Sequence, residues 1–199
     1  MDPKQTGENY DHLASWWLEQ MQGSTYGVSA LERALKFIKE PEKALDVGCG
    51  CEGRFLKILS ARGFKCTGLD ISSEMIALAA KRLPAIEFVV GDICSWQLPE
   101  KYQFISAWDS TFHLPLENQE PVLSKLCEGL KTQGVILFTC GGSEAPGIIS
   151  GEFGGRTFDY SSLGVPQFVK LLWRFGCSVK YLDYDQYPEK HVTIIATKN

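Results

Sequence analysis

The sequence has no basic excess, no long apolar run, no Cys-x-x-Cys pair and few histidines, and each shortage excludes something. Lys and Arg number 20 against 24 Asp and Glu, a formal charge of −4. Nucleic acid and anionic membranes both want a basic face, so neither is expected as the main partner. No segment reaches the ~18 consecutive apolar residues that span a bilayer. The opening MDPKQTGENYDHLASWW lacks the basic-then-apolar order of a secretory leader. Seven cysteines, at 49, 51, 66, 94, 127, 140 and 177, form an odd, irregular set that suggests neither a zinc knuckle nor a thiol redox motif. Several sit in apolar segments such as ILFTC and FGCSV, where a reduced thiol packs as a small hydrophobe. A reduced, cytoplasmic protein is expected. The three histidines, at 12, 113 and 191, are too scattered for a metal centre. Internal repeats and low-complexity tracts are absent.

What is present is the composition of a globular chain: 199 residues, 44% hydrophobic and 22% charged. The expected organisation is one domain over 1–199, with a helical cap over 1–40 and a core over 41–199. Short β-like runs recur at 44–48, 65–70, 86–91, 104–109, 135–140, 179–185 and 192–197. Apolar residues at helical spacing predict helices over 54–62, 73–82 and 118–130, with two more around 10–20 and 29–39. Alternating β and α builds a doubly wound, mostly parallel sheet of seven strands with helices on both faces. Only six residues, Gln186 to His191, separate the last two runs, too few for a crossover helix, so an antiparallel C-terminal hairpin is expected. Segment 141–160 is Gly-rich and aperiodic and reads as a long loop of the lid or binding kind.

The most informative stretch is Ala44-Leu-Asp-Val-Gly-Cys-Gly-Cys-Glu-Gly-Arg-Phe55. A buried strand runs into Gly48, Gly50 and Gly53, which let the backbone turn sharply and admit a ligand closely. Literally this is GxGxxG, a weak dinucleotide signal on its own. Two acids sharpen it. Asp46 precedes the first glycine, and Asp70 ends the next strand about 20 residues on, where a carboxylate can accept bonds from ribose hydroxyls. A pyrophosphate would be repelled by Asp46, whereas a ligand with a positive centre and no phosphate would be held by it. S-adenosylmethionine (SAM) is such a ligand, and S-adenosylhomocysteine (SAH) is its demethylated product. Asp92, after the third strand, can accept a bond from the adenine amine.

With these residues the chain resembles the class I SAM-dependent methyltransferases over about residues 40–197. The matching segments are LDVGCG (Leu45–Gly50), GLDIS (Gly68–Ser72), GDI (Gly91–Ile93) and FISAWDSTFHLP (Phe104–Pro115), together with a reversed final strand. An N-terminal YDxxAxxW pattern, here Tyr10, Asp11, Ala14 and Trp17, often contributes a lid in that family. The resemblance implies a Rossmann-like fold. It places the methionine part of SAM at Gly48 and Gly50, the ribose at Asp70 with Ile71, and adenine at Asp92 with Ile93. Tyr10, Trp17, Asp46 and Asp109 join them as cofactor-side candidates. Cys51, inserted before Glu52-Gly53-Arg54, departs from the usual pattern, so Gly53 is not carried over.

The loop Trp108-Asp109-Ser110-Thr111-Phe112-His113 carries neither the NPPY or DPPY of DNA amino-methyltransferases nor a PCQ cysteine, which leaves a small-molecule acceptor by elimination. Methyl transfer from a sulfonium is an in-line displacement that positioning can largely drive. Because this loop borders the acceptor side in the family, His113 is the general-base candidate, a structural histidine before Leu114-Pro115 being the alternative. Of Trp16 and Trp17, ~100° apart on a helix, at most one can face the pocket well. Tyr10, Tyr160 and Arg156 are candidates to line the acceptor site. His12 is expected on a solvated helix face and His191 at an edge. Two other functions remain open from sequence: a non-catalytic SAM-binding regulator and an NAD-dependent oxidoreductase. Against the latter stand Asp46, the reversed final strand and the lack of a YxxxK pair.

Overall fold

The computed structural model describes residues 2–199. Seven strands form one sheet in the order β3-β2-β1-β4-β5-β9-β8. They are β1 (Lys43–Val47), β2 (Lys65–Asp70), β3 (Glu87–Val90), β4 (Tyr102–Ala107), β5 (Leu130–Gly141), β8 (Cys177–Asp183) and β9 (His191–Lys198). β1 to β5 are mutually parallel, and β9 runs antiparallel between β5 and β8. The predicted doubly wound sheet with a reversed C-terminal hairpin is therefore the observed one.

Alternation along the strands divides the core between two faces. Leu45 and Val47 of β1 pack in one layer with α5 (Leu116–Glu128) and α6 (Val165–Arg174), while Ala44 packs in the other with α2 (Val28–Leu35) and α3 (Arg54–Ala61). Phe104 and Ile105 of β4 split between the layers in the same way, and both are fully buried. Each such side chain contributes roughly 1.5–3 kcal/mol by leaving water. α4 (Ser73–Arg82) matches its predicted range at both ends. Its boundaries are chemically marked: Ser72 Oγ accepts the Met75 N–H at 3.1 Å, Glu74 sits in the first turn, and Lys81 and Arg82 sit in the last.

Several expectations need correction. Segment 141–160 is not an irregular loop: β6 (Gly147–Phe153) and β7 (Arg156–Ser162) pair as an antiparallel hairpin. Gly154 and Gly155, with φ +57° and +70°, make its two-residue turn, which needs left-handed backbone at both positions. Helix α6 was not anticipated, although Pro166 near its start and Val165, Phe168, Leu171 and Leu172 on its buried face mark it. α2 ends at Leu35 rather than 39, and β5 begins at Leu130, before the expected 135. β1 and β4 stop short of Gly48 and Asp109, because both residues adopt positive φ (+71° and +49°) that a strand cannot continue.

Helix α1 (Pro3–Met21) lies against α4 and is tied to it by one carboxylate. Asp11 Oδ1 accepts the Ser72 hydroxyl at 2.6 Å and the Glu74 N–H at 3.0 Å, capping the neighbouring helix from outside. Asp11→Ala is expected to cost about 1 kcal/mol of stability, read as a lowered urea midpoint at unchanged m-value. Asp11→Asn, which keeps an acceptor, should recover most of that loss.

Candidate active site

Strand order reverses between β1 and β4, since β2 and β3 extend to one side of β1 while β4 inserts on the other. A crevice opens beyond the carboxyl ends of strands at such a point. Here it is a cavity of about 470 Å³, inside the ~300–1,000 Å³ range of small-molecule sites. The residues named from sequence for the cofactor, and the general-base candidate, line it: Tyr10, Trp17, Asp46, Gly48, Gly50, Asp70, Ile71, Asp92, Ile93, Asp109 and His113. Tyr160 lines it too, and Arg156 does not.

The floor is the glycine turn. Gly48 and Cys49 donate to Leu69 O at 2.7 and 3.1 Å, and Gly50 donates to Asp70 Oδ2 at 2.9 Å. Gly48 is required twice over: its φ is +71°, and a Cβ there would lie 2.3 Å from Ser110 Cβ. Asp70 Oδ1 accepts the Ser72 N–H at 2.9 Å. Burial raises its pKa, and these backbone bonds oppose the rise. Asp46 is 4% exposed and accepts the Ser106 hydroxyl at 2.6 Å. Burial pushes it up to about 7, against the pull of Ser106 and the nearby Arg54. Asp92 both lines the cavity and closes a turn, with Oδ1 accepting the Cys94 N–H at 2.8 Å.

The roof comes from α1 and the β6–β7 hairpin. Trp17 stacks on Phe153 (5.4 Å, 25°), while Trp16 is exposed and meets both rings edge-on. Tyr10 lies against His113 and Phe158. His113 sits in a short 3-10 turn (Thr111–His113), with Nδ1 3.2 Å from the Asp159 carbonyl oxygen and Nε2 2.8 Å from the Tyr10 hydroxyl. A carbonyl only accepts, so Nδ1 carries the proton and Nε2 receives the Tyr10 O–H. Burial pushes His113 down to about 4, partly opposed by the Asp159 bond and the Asp109 charge, so the imidazole is neutral at pH 7. Burial raises the Tyr10 phenol.

Three contributors were missed in the sequence. Gln119 of α5 donates to Thr111 O at 2.7 Å and to Ser161 Oγ at 2.8 Å, fixing the His113 turn against the hairpin. Tyr26 donates to Asp109 Oδ2 at 2.8 Å, and His191 Nε2 bonds Asp109 Oδ1 at 2.9 Å. His191 is thus not an edge residue, because β9 is paired on both sides. Its Nδ1 also meets Asp185 at 2.7 Å. The Tyr26 and His191 bonds to Asp109 join distant segments, and no local spacing announces them. Four buried polar atoms without partners, Trp17 Nε1, Glu52 Oε2, Arg54 Nε and Trp108 Nε1, belong to residues lining the same cavity. Groups of this kind are rare without a ligand or water to satisfy them.

Residues 44–134 match the methyltransferase-domain family. The chain is 32% identical over 122 residues to phosphoethanolamine N-methyltransferase of Plasmodium falciparum, covering 58% of this chain and 46% of that protein. Across three curated relatives it matches, the matched regions cover only 20% to 56% of their lengths. Among solved structures, a SAM-dependent methyltransferase from Clostridium acetobutylicum superposes with a TM-score of 0.74 at 12% identity, over 96% of this chain and 99% of that one. A SAM-bound amino pentose methyltransferase from Micromonospora echinaspora superposes with a TM-score of 0.67 at 17% identity, over 86% and 89%.

Burial alone would lower the His191 pKa, but the hydrogen bonds and charges of Asp109 and Asp185 outweigh it and raise it. A raised folded-state pKa gives stability that is present below the unfolded value of ~6.5 and lost as pH rises through the folded one. His191→Gln should therefore cost on the order of 1 kcal/mol at pH 6 and little at pH 9. Melting temperatures of both proteins at the two pH values check this.

Proposed function

We propose that this chain, whose residues 44–134 match the methyltransferase-domain family and whose sheet has the class I SAM-dependent fold, transfers the methyl group of SAM to a small molecule. The observation that carries the reading is the set of carboxylates lining the cavity, Asp46, Asp70 and Asp92, beside the Gly48–Gly50 turn. The partnerless Arg54 Nε supports it. Arg54 suits the carboxylate of the methionine moiety, Asp46 its ammonium, Asp70 the ribose hydroxyls, and Asp92 with Ile93 the adenine. When bound, SAM supplies a methyl carbon on a sulfonium, and transfer breaks that carbon–sulfur bond with the electron pair left on sulfur, giving SAH.

The chain's own part is to orient the acceptor and to take its proton. Tyr10 donates its O–H to His113, so its oxygen lone pairs are free to receive a proton from an acceptor while His113 Nε2 takes the phenol proton. His113 is the general base of this pair and Tyr10 the contact to the acceptor. Collinear positioning accounts for most of the rate, and the base adds roughly 10²–10⁴-fold. No helix among the described residues is long and apolar enough to cross a membrane. Seven free cysteines, six of them buried, support a reduced, cytoplasmic setting.

SAH at about 100 times its Kd should raise stability by ~2.7 kcal/mol in a melting experiment, and NAD should raise it not at all. Asp70→Ala should abolish the SAH shift, whereas His113→Ala should keep it and lose ~10²–10⁴-fold in kcat. Stabilisation by NAD alone would sink the reading. Because Asp46 titrates at about 7 and its ionised form holds the ligand's ammonium, SAH affinity should tighten as pH rises through 7. Asp46→Asn should flatten that dependence in isothermal titration.

A further inference from the structure

The charged side chains of the cavity are distributed unequally between its two halves. Among the described residues, five carboxylates line it (Asp46, Glu52, Asp70, Asp92 and Asp109), and Arg54 is the one Lys or Arg. Arg54 opens α3, lies over the rings of Tyr26 (5.9 Å) and Phe55 (5.6 Å) and acts on Asp46. It therefore belongs to the glycine turn and the cofactor.

The half beneath α1 and the hairpin is walled by Tyr10, Trp17, Phe112, Phe153, Phe158 and Tyr160, with neutral His113 at its base. Arg156, beside the hairpin turn, reaches Asn9 Oδ1 at 3.4 Å and stays outside the lining. The start of α1 touches the cavity through Pro3 and Thr6, but its terminus already carries the Asp2 carboxylate, bonded to the Lys4 N–H at 3.0 Å. An anionic group entering here would lose its water and meet no Lys or Arg among the described residues lining this half. An ammonium would meet ring faces and the field of the carboxylates.

Granted the methyl transfer set out above, we propose that the acceptor is an amine on an apolar, ring-sized frame, and that acceptors bearing a phosphate or a carboxylate are refused. The amine enters as an ammonium. Beside the sulfonium its pKa falls, and it gives one proton to Tyr10 as Tyr10 passes its own to His113 Nε2. The freed nitrogen lone pair forms the bond to the methyl carbon as the carbon–sulfur bond breaks onto sulfur. The methylated amine leaves as an ammonium, and His113 returns its proton to water when the site opens. The exclusion distinguishes this chain from what the name of its phosphoethanolamine-methylating relative states.

The test titrates the SAH complex of the full chain with benzylamine, benzyl alcohol and benzoate, which match in shape and differ in charge. Tryptophan fluorescence, with Trp17 in the cavity wall, reports binding. Benzylamine should bind about tenfold or more tighter than benzoate, with benzyl alcohol between them and phosphoethanolamine without effect. Benzoate binding as tightly as benzylamine overturns the proposal, and so does the failure of all three to bind. A chain that does not bind SAH at all sinks the methyltransferase reading instead, so the two failures are distinguishable. In a second arm, Phe153→Arg supplies the missing cation and should gain about tenfold in benzoate affinity while losing benzylamine affinity. No gain for benzoate counts against the proposal.

Discussion

The site depends first on how the Asp70 carboxylate is held. It ends β2, is nearly excluded from solvent, and accepts one backbone N–H from the glycine turn and another from Ser72. A buried carboxylate is costly unless its lone pairs are engaged, and these two bonds engage it while fixing two pieces of chain. Gly50 is thereby placed at the end of β1, and Ser72 is placed to cap α4. Ser72 in turn donates to Asp11, which positions α1, and α1 carries Tyr10 to His113. One acid thus sets the floor of the cavity and, through the Ser72–Asp11 and Tyr10–His113 bonds, the alignment of the roof.

What the sequence made legible follows from the range of the interactions. The strand sequence, the glycine turn and α4 are written locally, in apolar alternation, in Gly48 and Gly50, and in Ser72 ahead of a helical run. Asp46, Asp70, Asp92 and Asp109 were legible because they stand at or just beyond strand ends, and parallel strand ends converge at a switch point, whereas Tyr10 and Trp17, on α1, were legible only through the YDxxAxxW resemblance. The β6–β7 hairpin leaves no periodic trace in the sequence, because β6 is largely exposed and shows no apolar alternation. The Gly154-Gly155 pair was the available signal. The cluster of Tyr26, Asp109 and His191 is joined by hydrogen bonds that span 83 and 82 positions, and 160 from Tyr26 to Gln186, and no spacing rule reaches that far.

The two halves of the cavity are built from different physical materials. The half proposed for the cofactor is backbone and carboxylate, set at the ends of β1 and β2 and just beyond β3. The half proposed for the acceptor is aromatic area, supplied by a helix and a hairpin joined by ring contacts such as Trp17 on Phe153 and by the Asn9 bond to Thr157 O. Directional hydrogen bonds in the first half suit a ligand of fixed shape. Ring faces in the second tolerate variation in outline but not in the sign of charge.

β6 and β7 pair with each other and not with the seven-stranded sheet, and they are spliced between β5 and α6. Residues there can be exchanged, lengthened or shortened without shifting the register of any core strand. The hairpin's share of the cavity roof is therefore a separable insert, mounted on a sheet whose strand order does not depend on it.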